Sequence, residues 1–215
     1  MSSFPIRDKK ADHLLTAENA ALIIIDYQPP QVNSIASMDR QLLVNNICGT
    51  AEAAKLYGMP IVLSTANVAS GLNKPIIPQL EKILNGTPVF DRTGLNAWED
   101  KEFVEAVKAT GRKKLIMTAL WTEVCLAFPA LDALREGYEV YMVVDAVGGT
   151  SKVAHDAAIR RMENAGAISI STAGLFCELQ RDWSRTETVQ GFVKLFIETG
   201  GNAGIQFSFD TAGKK

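Results

Sequence analysis

The chain has 215 residues, 47% of them hydrophobic, with 22 basic against 24 acidic side chains. That is enough for one well-buried core, so a single domain is expected over 1–215, with a short N-terminal arm (about 1–18) and a C-terminal tail (about 199–215). The near-neutral charge, with no basic block beyond pairs such as Lys9-Lys10 and Lys113-Lys114, argues against nucleic-acid partners.

No apolar run approaches the roughly 20 residues that span a bilayer, so no membrane association is expected. Residues 1–7 lack the apolar segment of a signal peptide. The three widely spaced cysteines make no disulfide framework, and a cytoplasmic protein is the expectation.

Residues 20–26 are packed with β-branched side chains and too short for a helix, and they read as a first strand. Apolar positions at spacings of three and four predict a helix over 39–57, closed by Gly58. A second strand follows at 61–65, then a loop-rich stretch at 66–79, a short helix near 79–84 and a weak strand at 88–90. A helix at about 99–109 precedes a strand at 113–119, and the next helix carries Cys125 and runs to Gly137. A strand at 138–144, a helix at 151–165, a strand at 167–170 and a helix at 185–198 complete the pattern. From Gly200 to Lys215 there is little periodicity. That stretch reads as a frayed tail or as a subunit-contacting arm that covers Phe207 and Phe209.

The βα alternation implies a parallel sheet with helices on both faces. Ligands of such sheets bind beyond the carboxyl ends of the strands, near the switch in strand order. Asp26 and Cys125 both fall at that edge. The turn Asp26-Tyr27-Gln28-Pro29-Pro30 lacks the glycines of a dinucleotide site, and neither a Walker loop nor a Gly-x-Ser-x-Gly elbow is present. The only histidines, His13 and His155, are away from predicted strand ends and read as surface or structural residues. They offer no metal-ligand spacing, so neither a metal nor another cofactor is expected.

What remains is cysteine chemistry without histidine. A thiol at a strand-to-helix turn feels backbone N–H groups and the positive end of a helix dipole, which favours thiolate. Asp26 supplies a candidate base and Arg92 a positive charge. Cys48 and Cys177 lie in helical stretches and read as small hydrophobes.

The combination of Ile24-Ile25-Asp26-Tyr27-Gln28, Arg92 with Asn96-Ala97-Trp98, and Leu120-Trp121-Thr122-Glu123-Val124-Cys125 resembles the isochorismatase-like cysteine hydrolase superfamily. Cys125-Leu126-Ala127-Phe128-Pro129-Ala130-Leu131, Val143-Val144-Asp145-Ala146 and Cys177-Glu178-Leu179-Gln180-Arg181-Asp182-Trp183 look like its YcaC-type branch. The resemblance implies an α/β fold, a three-layer α/β/α sandwich on a six-stranded parallel sheet, and a catalytic triad Asp26, Arg92 and Cys125. It also implies a cis peptide between Leu120 and Trp121 and an oxyanion hole from the N–H groups of Trp121 and Cys125.

Trp98, Trp121 and Thr122 are expected to line the pocket, with core packing the alternative for Trp98, and Asp145 and Thr150 to stand behind the site. The implied activity is hydrolysis of a small-molecule amide-type C–N bond through a cysteine thioester, by a homo-oligomer, commonly an octamer in that branch. A vinyl-ether hydrolase and a non-catalytic small-molecule-binding protein are the alternatives. Arg92 stands where the superfamily usually has Lys, and Ala119 where a Gly is usual. The segment after the second strand, Asn67-Val68-Ala69-Ser70-Gly71-Leu72-Asn73-Lys74, has neither Asp nor His, which disfavours nicotinamide as substrate.

Overall fold

A strand with no polar side chain must be covered on both faces. In the computed structural model of the protein, which describes residues 8–199 and 201–212, the first such run is β1 (Ala20–Ile25), and all of it is buried. The chain continues through α1 (Pro29–Asn33), α2 (Arg40–Leu56), β2 (Ile61–Ala66), α3 (Pro78–Ile83) and β3 (Val89–Arg92). A 3₁₀ turn (Ala97–Glu99) leads to α4 (Lys101–Ala109) and β4 (Lys114–Ala119), and a π-helical turn (Thr122–Leu126) leads to α5 (Ala127–Arg135). The remainder is β5 (Glu139–Val143), α6 (Lys152–Asn164), β6 (Ile168–Ile170), α7 (Thr172–Gln180), α8 (Val189–Thr199) and α9 (Gly201–Ala212).

The six strands lie in the order β3-β2-β1-β4-β5-β6, and every pairing is parallel. Alternate residues of β1 serve opposite layers, as the period of two requires. Leu22 and Ile24 face a core with Leu43, Ile47, Phe176 and Phe196. Ile23 and Ile25 face one with Phe103, Val107, Leu126 and Met162. The result is a three-layer α/β/α sandwich. Because β2 and β4 flank β1 on opposite sides, strand order reverses between β1 and β4. The carboxyl ends of these two strands therefore border the crevice where doubly wound sheets bind ligands.

Three local features depart from the sequence reading. The Pro29-Pro30 stretch is a short helix, its missing N–H groups falling at positions that need no helical partner. Residues 201–212, without clear periodicity, form α9, which seats Phe207 against Trp183, Phe192 and Phe196 while Phe209 stays 75% exposed. The expected N-terminal arm is tied down: Leu15 is fully buried, and Lys114 Nζ donates to the carbonyls of Asp12 (2.7 Å) and His13 (2.6 Å). Residues 1–7 of that arm, and residues 200 and 213–215 of the tail, lie outside the described residues. No helix among the described residues is long and apolar enough to cross a membrane.

Candidate active site

Register brings the strand ends level, with Ile25 opposite both Ser64 and Ala119, and Ala66 opposite Arg92. Asp26 is the first residue past β1 and has φ 62°, a left-handed conformation that costs a non-glycine residue of order 1 kcal/mol or more. Its N–H is fixed to the Ser64 carbonyl at 3.0 Å. Arg92 ends the edge strand β3 and reaches across β2 to meet it. Nη1 and Nη2 donate to Asp26 Oδ1 (2.8 Å) and Oδ2 (2.7 Å). Nη1 also donates to Ser64 Oγ (3.0 Å) and the Thr65 carbonyl (3.1 Å), and Nη2 to the Leu95 carbonyl (3.3 Å).

The pair is almost fully buried. Burial works against the Arg92 charge, but the hydrogen bonds and charge of Asp26 outweigh it and raise the guanidinium above its ordinary range. A fork-to-fork geometry of this kind is available to Arg and not to Lys. Arg92 holds and neutralises the carboxylate and moves no proton.

Cys125 is the fourth residue of the π-helical turn and is 8% exposed. Its thiol lies beside the Asp26 carboxylate and near the Trp121 backbone N–H. The helix-dipole expectation is corrected here. Burial, followed by the charge and hydrogen bond of Asp26, pushes the thiol up to about 12, with Arg92 and the Trp121 N–H pulling the other way. The thiol therefore rests neutral beside the Asp26–Arg92 ion pair. The Leu120–Trp121 peptide is cis. Leu126 N–H and Val124 N–H both donate to the Trp121 carbonyl, at 3.1 and 3.2 Å.

The other predicted residues divide. Trp121 is half-buried, with Nε1 donating to Ser34 Oγ at 2.6 Å. Trp98 is buried in the same apolar layer as Cys125. Its Nε1 donates to Glu136 Oε1 (2.9 Å), and its ring meets Phe103 and Tyr138 edge-on, near the start of β5. Thr122 is fully buried, its hydroxyl 2.9 Å from His155 Nδ1, so it faces α6. Asp145 Oδ1 accepts from the N–H and hydroxyl of Thr172, joining β5 to α7. Thr150 donates through N–H (2.9 Å) and Oγ1 (2.6 Å) to Glu123 Oε1. Cys48 is half-buried in α2, and Cys177 is exposed rather than a core residue.

Sequence reasoning missed Ser64, which helps seat Arg92, and Glu123. It also missed His155 as a partner of the turn that carries Cys125. Gln28, named only within a motif, clamps the loop after β2 through Ala66 and Lys74. Among the described residues no group of three or more His, Cys, Asp or Glu side chains is placed to hold a metal ion.

The isochorismatase domain model matches residues 20–174, which span β1, the π-helical turn and the start of α7. The Probable hydrolase YcaC of Escherichia coli is 37% identical over 85% of this chain and 86% of its own length. A YcaC structure from Pseudomonas aeruginosa, with hexane-2,5-diol and covalent acrylamide, superposes with TM-score 0.85 at 33% identity, covering 98% of each chain. The E. coli YcaC structure, described as an octameric hydrolase of unknown specificity, gives TM-score 0.86 at 35% identity over 94% of this chain and 99% of that one. An acid, a buried guanidinium and a thiol gathered at the β1–β4 switch point thus sit within a domain matched along most of its length, and the chain belongs to the isochorismatase family of hydrolases.

Proposed function

We propose that the chain hydrolyses an amide-type C–N bond of a small molecule through a thioester on Cys125. The observation that carries this reading is that one carboxylate, Asp26, is held by Arg92 and also stands beside the thiol. Asp26 takes the thiol proton as sulfur attacks the carbonyl carbon. The developing oxyanion is held by the N–H groups of Trp121 and Cys125, donors of a kind worth about 3–4 kcal/mol each. Asp26 then protonates the departing nitrogen and the C–N bond breaks. Water, deprotonated by Asp26, cleaves the thioester, releasing the acid and restoring the thiol.

A thiol raised to about 12 favours this concerted transfer, because free thiolate is scarce at neutral pH. The covalent acrylamide in the P. aeruginosa YcaC structure is consistent with an accessible nucleophile on this scaffold.

Cys125→Ala is expected to abolish turnover of a panel of small amides and the matching acyl adduct in intact mass spectra, with the thermal transition retained. Full turnover in that variant overturns the covalent mechanism.

Self-assembly belongs to the same proposal. The E. coli YcaC structure is described as octameric, and here Trp183 (62% exposed), Ile205 (56%) and Phe209 (75%) leave apolar surface for another copy to cover. Native mass spectrometry is expected to show a closed homo-oligomer, and a monomer at micromolar concentration is the contrary result.

A further inference from the structure

The turn that carries the nucleophile is tied along one side to a single segment, residues 148–155. Thr122 N–H donates to the Gly148 carbonyl at 2.9 Å, Leu120 bridges to Gly148, and Glu123 accepts from Thr150. The last tie is between side chains: the fully buried Thr122 hydroxyl lies 2.9 Å from Nδ1 of His155, in the first turns of α6. The packing there leaves little slack. A Cβ on Gly149 would come within 2.5 Å of Glu123 Oε2 and 3.0 Å of the His155 Cβ. Thr122 directly follows Trp121 and is three residues before Cys125, so its orientation fixes where both N–H groups point.

We propose that His155 is a positioning residue for acyl transfer: through Thr122 its ring holds the Trp121 and Cys125 N–H groups in line with the oxyanion that forms on the substrate. The inference rests on the acyl-enzyme reading above and adds a residue with no contact to thiol, acid or guanidinium in that scheme. A buried hydroxyl that loses its partner is costly and rotates or draws in water. Either response shifts a turn whose donors must sit within a few tenths of an ångström of their targets. Burial holds His155 below its ordinary titration range, so near neutral pH the ring meets Thr122 uncharged.

The test needs a reaction that builds an oxyanion and one that does not. With p-nitrophenyl acetate, Cys125 Sγ bonds to the ester carbon, the carbonyl oxygen carries the transient charge, and p-nitrophenolate leaves as the thiol proton passes to Asp26. Iodoacetamide alkylates the same sulfur by displacing iodide, with no oxyanion. His155→Leu is expected to slow acylation by about 10–100-fold while alkylation stays within about twofold. His155→Asn, whose amide can either accept or donate at the Nδ1 position, is expected to restore most of the loss. Thr122→Val is expected to match His155→Leu, and the double variant to be no slower than either single one.

Equal loss in acylation and alkylation, failure of His155→Asn to rescue, or wild-type acylation in a folded His155→Leu protein overturns the positioning role and leaves the acyl-enzyme reading standing. Absence of any acetyl adduct on wild-type Cys125 removes that reading and this proposal together. Should His155→Leu not fold, Thr122→Val against wild type decides by the same ratio.

Discussion

Two places in this molecule put a thiol beside a carboxylate, and only one of them looks built for chemistry. At the β1–β4 edge, Cys125 faces Asp26. On the opposite side of β1's layer, Cys48 of α2 lies beside Glu52, in a cavity of about 790 Å³ between α2, α3 and α8. Both thiols are raised, to about 12 and about 11, in each case by burial first and the neighbouring acid second. The raised thiol alone does not separate them.

The difference lies in what holds the acid. Asp26 is clamped by two guanidinium nitrogens, whereas the neighbour of Glu52 is a second acid, Glu198. A fixed cation lets a carboxylate stay charged while buried and so act as a base. A second carboxylate makes it keep a proton.

The largest effect that can break this contrast is Asp26→Asn. Removing the base is expected to cut amide turnover by about 10²–10⁴-fold. Alkylation moves the other way: with the Asp26 charge gone and Arg92 still present, the Cys125 thiol falls below about 12, and iodoacetamide at a fixed pH of about 8 labels it faster. Cys48 serves as the internal control, its labelling unchanged while the fold holds. The guanidinium loses one of its two carboxylate contacts in a buried site, which is expected to cost roughly 3 kcal/mol in denaturant unfolding. Turnover that survives, or Cys125 labelling that slows along with turnover, means that Asp26 neither takes the proton nor sets the thiol.

This contrast was only half legible in the sequence. The run that became β1 is an uninterrupted apolar stretch and that of β4 a mostly apolar one, so the carboxyl edge with Asp26 and Cys125 followed from pattern alone. Arg92 was harder, because β3 is a short edge strand with Val89 and Asp91 exposed, and its reach across β2 depends on register. The state of the thiol was misjudged. A dipole argument counts donors along a helix, but Cys125 sits inside a π-helical turn, where burial and Asp26 dominate.

The partners of Trp98, Glu136, Phe103 and Tyr138, lie elsewhere in the chain and are not announced by its own motif. His155 was set aside for lying away from a strand end, yet its partner Thr122 is 33 positions earlier in the chain. The helix α9 depends on the aromatic cluster of Trp183, Phe192, Phe196 and Phe207, a tertiary cause with no local periodicity to announce it.

The smallest effect sharpens the other half of the contrast. Glu52 is raised above the ordinary carboxylate range by burial first, then by the hydrogen bond and charge of Glu198, with Lys194 and Lys82 pulling the other way. The folded protein thus holds this proton more tightly than the unfolded chain does. Its contribution to stability is complete below the ordinary glutamate value of about 4.3 and is lost as pH rises through the raised value of the folded state. Glu52→Gln does not titrate and keeps an N–H to donate to Glu198. Relative to wild type, the variant is therefore expected to show little difference in Tm near pH 4 and to become the more stable protein by pH 8. After allowance for the solvent that reaches this half-exposed pair, the gain is roughly 1–3 °C. A difference that is the same at both pH values would mean that Glu52 does not share its proton with Glu198. A loss growing with pH would mean that a cation holds Glu52 as Arg92 holds Asp26, and the two thiol sites would then differ in degree rather than in kind.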